Sequence, residues 1–154
     1  MKNSKIIIIV LTLLFAGFFV FLAFKKDDKM ASTEVPLPQT SSIVGCYVAT
    51  LGKDVYTLSI LSQNGESVKG HLNFKNFQKD SSSGPMEGTY RNDVLLGDYS
   101  FDSEGMHSVV QVIFKKTANG FVRGYGQMNS SGERFADLSD ITYDTSAEFK
   151  TSPC

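Results

Sequence analysis

The stretch DVYTLSILSQNGESVKGHLNFK, residues 54–75, decides the fold class of this chain. Apolar and polar residues alternate along both halves, so that Leu72 falls on one face of the second half and His71 on the other. A period of two residues is that of a β-strand, whose successive side chains point to opposite faces. The Asn64-Gly65 step between the halves supplies the positive φ angles that tight hairpins need. The segment therefore predicts two antiparallel strands joined by a turn.

The same kind of sequence, short β-rich runs separated by turn residues, continues on both sides of this hairpin from Ile43 onward. Short β-rich runs follow one another at a spacing of roughly 8–12 residues, which is typical of a sandwich or a barrel. The links are short and rich in Asn, Asp, Gly and Ser, so they leave no room for helical crossovers and the strands must pair as antiparallel neighbours. The predicted strands are 43–51, 54–62, 67–75, 86–91, 94–101, 107–116, 121–128 and 134–143, the last with the weakest alternation.

A glycine recurs in the middle of four of these strands. The segments are VKGHL (68–72), MEGTY (86–90), LLGDY (95–99) and VRGYG (122–126). Because glycine weakens a flat strand, its repetition indicates strong bending or close packing at a barrel wall. Eight strands that close on themselves would also leave no sheet edge. We therefore predict an all-β domain, a small antiparallel up-and-down β-barrel or curled meander of about eight strands, and favour a barrel over a sandwich.

Residues 6–24, IIIIVLTLLFAGFFVFLAF, are long and apolar enough to cross a membrane, since about 20 residues of helix span the hydrocarbon layer. A cleaved signal peptide, the second interpretation, has a shorter apolar core and a small-residue cleavage site, whereas bulky residues and two lysines follow here. A buried core helix is the third interpretation of this segment. We predict a cytoplasmic N-terminus at 1–5, a transmembrane signal anchor at 6–24, a tether at 25–42 and a β-barrel-like domain at 43–154. The expected location is the cell membrane, single-pass, with the C-terminal domain on the extracytoplasmic side, although basic residues flank both ends of the span.

The chain has only two cysteines, Cys46 and Cys154, near the two ends of the predicted domain. In an oxidising compartment such a pair most simply forms one disulfide. The loop closed by that bond would exceed a hundred residues, for which the chain-entropy estimate is roughly 4–5 kcal/mol. The alternative is a buried thiol at Cys46 and a free Cys154.

Few residues of the domain suggest chemistry. The two histidines, His71 and His107, have no second ligand at metal-binding spacing and are expected on the surface. Asp102 and Glu104 could serve acid–base chemistry or bind a cation, but turns require such residues on their own account. No nucleophile elbow or phosphate loop is present in the sequence, so we expect no enzyme, no metal and no cofactor. From Met30 onward ten basic and fourteen acidic side chains give a net charge near −4, which argues against nucleic acid as a partner.

Five segments and the terminal Cys154 carry a resemblance to known proteins. The segments are GCYVATLGKDVYTLSI (45–60), VKGHLNF (68–74), KDSSSGPMEGTY (79–90), LLGDYSFDSEGMHS (95–108) and GFVRGYGQM (120–128). The domain resembles small exported proteins, hypothetical lipoproteins, of Bacteroidota-type bacteria, and looks more loosely like avidin- and lipocalin-type barrels. The resemblance implies export and a compact β domain, and it assigns no catalytic residue. This chain lacks the lipid-attachment cysteine of that group, and the 6–24 anchor would take its role.

Barrel mouths commonly hold ligands, so the leading functional expectation is a cell-envelope binding module for a small apolar ligand or a protein partner. The alternative is a structural or interaction protein whose barrel is filled by its own core and holds no ligand. An envelope hydrolase ranks third and would require Asp102, Glu104 and a histidine to converge. The candidate ligand-binding residues, taken from the faces expected to point inward, are Tyr56, Leu58, Leu72, Phe74, Tyr90, Tyr99 and Phe101.

Overall fold

The computed structural model of the protein describes residues 41–103 and 105–154. The predicted N-terminal segment, the transmembrane anchor and all but the last two residues of the tether lie outside the described residues, as does Glu104. Within the described ranges, no helix has the length and apolar character needed to cross a membrane. The strands are β1 (Gly45–Leu51), β2 (Asp54–Asn64), β3 (Ser67–Lys75), β4 (Ser82–Arg91), β5 (Val94–Ser103), β6 (Met106–Lys116), β7 (Gly120–Tyr125) and β8 (Thr142–Ser152), with a short 3-10 helix at Leu138–Asp140.

The eight strands form one closed antiparallel barrel. Each strand pairs with its neighbours along the chain, and β1 pairs with β8 to complete the ring. Tight turns make this possible: Asn92 and Asp93, which link β4 to β5, both adopt positive φ, the conformation that a two-residue hairpin requires. The all-β class and the preference for a barrel over a sandwich are confirmed.

The up-and-down order gives the barrel two distinct ends. The links after β1, β3, β5 and β7 gather at one end, which we call the mouth. The links after β2, β4 and β6 gather at the other, which we call the floor. Because β1 starts and β8 finishes at the floor, the described chain enters and leaves the barrel there.

The last strand does not lie where the sequence predicted it. The prediction of a strand over 134–143 is wrong, since β8 is Thr142–Ser152 and β7 already ends at Tyr125. Residues 126–141 instead cover the outer face of β6 and β7. The backbone N–H of Gln111 donates to the backbone carbonyl of Glu133 at 2.6 Å. Apolar side chains of this segment pack over Gly124 of β7 and over Gly126, which follows β7. The apolar residues at 134–143 therefore serve an outer layer and not the barrel core.

The floor half of the barrel is filled by its own side chains. Strand β3 shows the strict alternation of exposed and buried residues that a closed barrel imposes. Tyr47 meets the edge of Phe121 with 4.9 Å between ring centroids, and its hydroxyl donates to the Ile43 carbonyl at 2.8 Å. The fully buried side chains that pack the interior include Ile43, Leu58, Ile60, Val68, Leu72, Met86, Leu95, Val112, Phe114, Phe121 and Phe149.

Mid-strand glycines mark the places where the wall is most tightly packed, as predicted. A Cβ atom on Gly70 would lie 2.6 Å from the backbone oxygen of Ser59, and one on Gly97 would lie 3.0 Å from Cγ of Met86. Both glycines are buried. The glycine positions therefore let the Met86 side chain fill the centre of the barrel, where any larger residue would collide with it or with the next strand.

A disulfide between Cys46 and Cys154 joins the two ends of the barrel sequence, and the predicted pairing is confirmed. The bond lies at the floor, beside the register pair Cys46 and Ser152. The β1–β8 seam holds three register pairs, fewer than any other seam of the barrel. The disulfide thus reinforces the shortest pairing in the ring.

Candidate ligand-binding site at the barrel mouth

The mouth half of the barrel is open, in contrast to the floor half. A cavity of about 260 Å³ lies between the mouth ends of β2 to β7. That volume lies just below the range of typical small-molecule pockets, which begins at about 300 Å³. The residues that line it are Tyr56, Phe74, Asn76, Ser82, Tyr99, Phe101, Val110, Arg123 and Tyr125.

Four of the seven predicted ligand-binding residues line this cavity, namely Tyr56, Phe74, Tyr99 and Phe101. The other three do not. Leu58 and Leu72 are fully buried below the cavity, opposite each other on β2 and β3. Tyr90 lies at the floor, where its hydroxyl donates to Asp93 at 3.0 Å. The role of all seven in binding a ligand stays a prediction.

The aromatic rings form a connected wall around the cavity. Tyr99 and Phe101, two residues apart on β5, stack with centroids 4.9 Å apart and planes inclined by 18°. Phe74 makes T-shaped contacts with Tyr99 and with Tyr56, with ring centroids 5.6 Å and 5.3 Å apart. Rings that hold each other in this way form a surface that needs little rearrangement to receive an apolar ligand.

Two tyrosine hydroxyls anchor this wall to the rim. The Tyr99 hydroxyl donates to Ser82 Oγ at 3.0 Å, and the Tyr56 hydroxyl lies 3.2 Å from Asn76 Oδ1 and 3.3 Å from Asp54 Oδ2. Burial raises the pKa of both tyrosines, and the neighbouring Asp54 carboxylate adds to the effect at Tyr56. Both hydroxyls therefore stay protonated and polar within a mostly aromatic lining.

Arg123 is the one cation among the lining residues. Its guanidinium lies over the Phe74 ring at 4.5 Å and over the Tyr125 ring at 5.1 Å. Within residues 41–103 and 105–154, no carboxylate forms an ion pair with it. Asp144 is its register partner on β8, but that carboxylate accepts instead from the amide and hydroxyl of Ser146.

The sequence-based site prediction omitted Arg123 and Tyr125, although a signal for them was present. Both are an even number of residues from Phe121 on the same strand, so alternation places them on the same face as this fully buried ring. A charged residue on an inward face near a strand end is the pattern of a lined pocket. In the sequence, VRGYG was considered only for its mid-strand glycine, as a sign of strand bending, and its arginine and tyrosine were not assigned to a face.

A second cavity lies beside the first, where β6 and β7 part. These strands pair only from Ile113 with Gly124 to Lys116 with Phe121, near the floor. This second cavity, of about 290 Å³, lies above that point and is bounded by β6, β7 and residues 126–135. It shares Val110, Arg123 and Tyr125 with the mouth, so Arg123 borders both spaces.

A second polar cluster lies on the outer face of the β5–β6 hairpin. Ser100 Oγ is 3.0 Å from His107 Nε2, and His107 Nδ1 is 3.0 Å from Asp102 Oδ1, in the order of a serine-hydrolase relay. The histidine is on the surface as predicted, with 63% of its side chain exposed, and the aspartate is 81% exposed. Such a relay gains most of its catalytic power from a dry site with oxyanion donors, and water surrounds this one.

Metal-binding chemistry is not indicated by the described part of the chain. Among those residues, no three histidine, cysteine, aspartate or glutamate side chains come close enough to hold an ion. Of the predicted cluster, Asp102 and His107 do meet, while Glu104 lies outside the described residues.

Comparisons with protein families, with curated proteins and with solved structures found no match to this chain. We therefore infer its function from the geometry of the mouth.

Proposed function

We propose that the domain is a binding module that takes a small, largely apolar ligand into the mouth of its barrel. The observation that carries this proposal is the contrast between the two halves of one interior. Buried side chains pack the floor half, whereas at the mouth five aromatic rings border an open cavity of about 260 Å³. A barrel that served only as a scaffold would gain stability from covering these rings with further side chains, since burial of apolar surface stabilises a fold by about 25 cal/mol per Å².

The competing candidate is an interaction protein that acts through its outer surface. The packed floor favours it, because most of the interior there leaves no room for a ligand. The mouth favours the binding module, since the lining combines five aromatic rings with polar groups from Asn76, Ser82 and Arg123. That combination is typical of sites for small molecules.

A pair of neighbouring valines allows a test of the binding module. Val110 lines the cavity, while the adjacent Val109 faces outward and is 40% exposed. Native mass spectrometry of the full chain, purified from the membrane of its own cells, should detect a bound small molecule. The substitution V110W should fill the mouth and abolish the adduct, and V109W should leave it in place. Equal adducts in both variants, or none in the wild type, would reject the proposal.

We also propose that residues 6–24 hold the protein at the cell membrane with the barrel on the extracytoplasmic side. The uninterrupted apolar run supports a membrane span, and the disulfide supports an oxidising compartment, since such bonds are rare in the cytosol. Protease added to intact spheroplasts should digest the barrel domain, and a cytoplasmic control protein should survive. Protection of the barrel until the cells are lysed would show the opposite orientation.

A further inference from the structure

The cation at the mouth restricts the chemistry of the ligand. Building on the proposed binding function, we propose that the mouth takes a compact organic acid, an apolar body that carries one carboxylate, with Arg123 as its anion-binding residue. A neutral apolar ligand would satisfy the rings but would leave the guanidinium facing the interior without a counter-charge.

The position of the guanidinium prepares it for this role. Phe74 and Tyr125 both lie against it, at 4.5 and 5.1 Å. Aromatic contacts of this kind engage the flat face of a guanidinium, so they leave its edge, which carries the N–H donors, available. A carboxylate accepts two parallel N–H bonds from such an edge, and a planar fork held in place loses little entropy on binding it. Within the described ranges, no ion pair competes for those donors.

The charges around the mouth indicate where the carboxylate would lie. Burial raises the pKa of Tyr99, while the hydrogen bond to Ser82 and the nearby charge of Arg123 both lower it. At Tyr56, by contrast, the effect of Asp54 exceeds that of the arginine. The Asp54 carboxylate, 3.3 Å from the Tyr56 hydroxyl, would repel a ligand carboxylate on that side, which favours a position on the Tyr99 side. Ser82 lines that side and accepts a hydrogen bond from Tyr99, so its own hydroxyl proton is free to reach a ligand oxygen.

The size of the cavity fixes the scale of the ligand. About 260 Å³ holds a ring or a short alkyl chain with its acid group, whereas long-chain lipids need a larger pocket. The stacked pair Tyr99 and Phe101 offers a flat surface against which a planar body can pack. Phenylacetate fits this description, and phenylacetamide has nearly the same shape with no charge.

The experiment compares these two probes on the full chain in lipid nanodiscs, with empty nanodiscs as the blank. Isothermal titration calorimetry, supported by ligand-observed NMR, would measure affinity for the wild type and for R123Q, R123K and R91Q. Arg91 is the matched control, because it lies at the floor end of β4 and pairs with Glu66 on the surface. Benzoate and hexanoate, each with its amide, extend the panel.

We expect the wild type to bind at least one acid about 10- to 100-fold more tightly than its amide, the usual range for a hydrogen bond to a charged group. R123Q should remove that preference, R123K should retain part of it, and R91Q should behave as the wild type. Equal affinity for acid and amide would overturn the anion inference and leave the proposed function standing. If none of the six probes binds, the inference of an organic-acid ligand fails, and the adduct seen or not seen by native mass spectrometry decides the proposed function separately. A preference that survives in R123Q would also overturn the assignment of Arg123.

Discussion

Removal of the Cys46–Cys154 bond should destabilise the barrel by an amount that its loop length sets. The two cysteines are 108 residues apart in sequence. The entropy of closing a loop of that length in the unfolded chain corresponds to about 5 kcal/mol at 25 °C. A domain of this size has a total stability of roughly 5–15 kcal/mol, so the loss is a large share of it. The β1–β8 seam, with three register pairs, has little pairing of its own to compensate.

The assay is urea unfolding of the full chain in detergent micelles, followed by far-ultraviolet circular dichroism. The free energy of unfolding of the double variant C46A/C154A should be about 5 kcal/mol lower than that of the wild type. It should also fall more steeply with urea concentration, because a chain without the cross-link exposes more surface when it unfolds. Reduction of the wild type with a phosphine should give the same loss, which separates the cross-link from the packing of Cys46. A loss below about 1.5 kcal/mol with an unchanged urea dependence would refute the loop-closure reasoning.

Three further predictions concern other parts of the barrel. Burial, helped by Asp93, raises the pKa of Tyr90 to about 12 from its ordinary value of 10.0. The stability that this tyrosine contributes should therefore be complete below pH 10 and lost as the pH rises through about 12. The free energies of unfolding of wild type and Y90F, measured by urea titration across that range, should converge at the alkaline end. G124A should cost about 1–3 kcal/mol, since a Cβ there would lie 2.5 Å from Ile141, and a thermal melt that matches the wild type would contradict this packing. Because water surrounds the Ser100–His107–Asp102 relay, we expect no turnover of p-nitrophenyl acetate beyond that of S100A, and a clear excess in the wild type would indicate a hydrolase.

The alternation of residues predicted most of the fold and part of the site. In a closed barrel most inward positions are apolar, so the period of two in β2, β3 and β5 identified the faces of Tyr56, Phe74 and Tyr99 correctly. The same rule could not tell which inward residues lie at the mouth and which, like Leu72, lie in the packed half. That distinction depends on how far each strand extends beyond its neighbours, which sequence spacing does not fix.

The last strand and the mouth arginine were missed for different reasons. Strand β8 carries few apolar residues, Ala147 and Phe149 among them, and a register shift opposite Val122 interrupts its alternation. The more apolar segment before it attracted the prediction, although it packs on the outside of the barrel. Arg123 was missed because a lone charge in a strand usually faces solvent, although its even spacing from the buried Phe121 puts it on the inward face.

The separation of a packed floor from an open mouth divides the barrel lengthwise into a part that maintains the fold and a part that can vary. Substitutions around Leu58 or Phe114 remove buried contacts and should be selected against whatever the protein binds. Replacements at Val110, Phe101 or Tyr125 alter the shape and polarity of the opening while the packed half remains intact. A library confined to the rim could thus yield new ligand preferences on one unchanged scaffold.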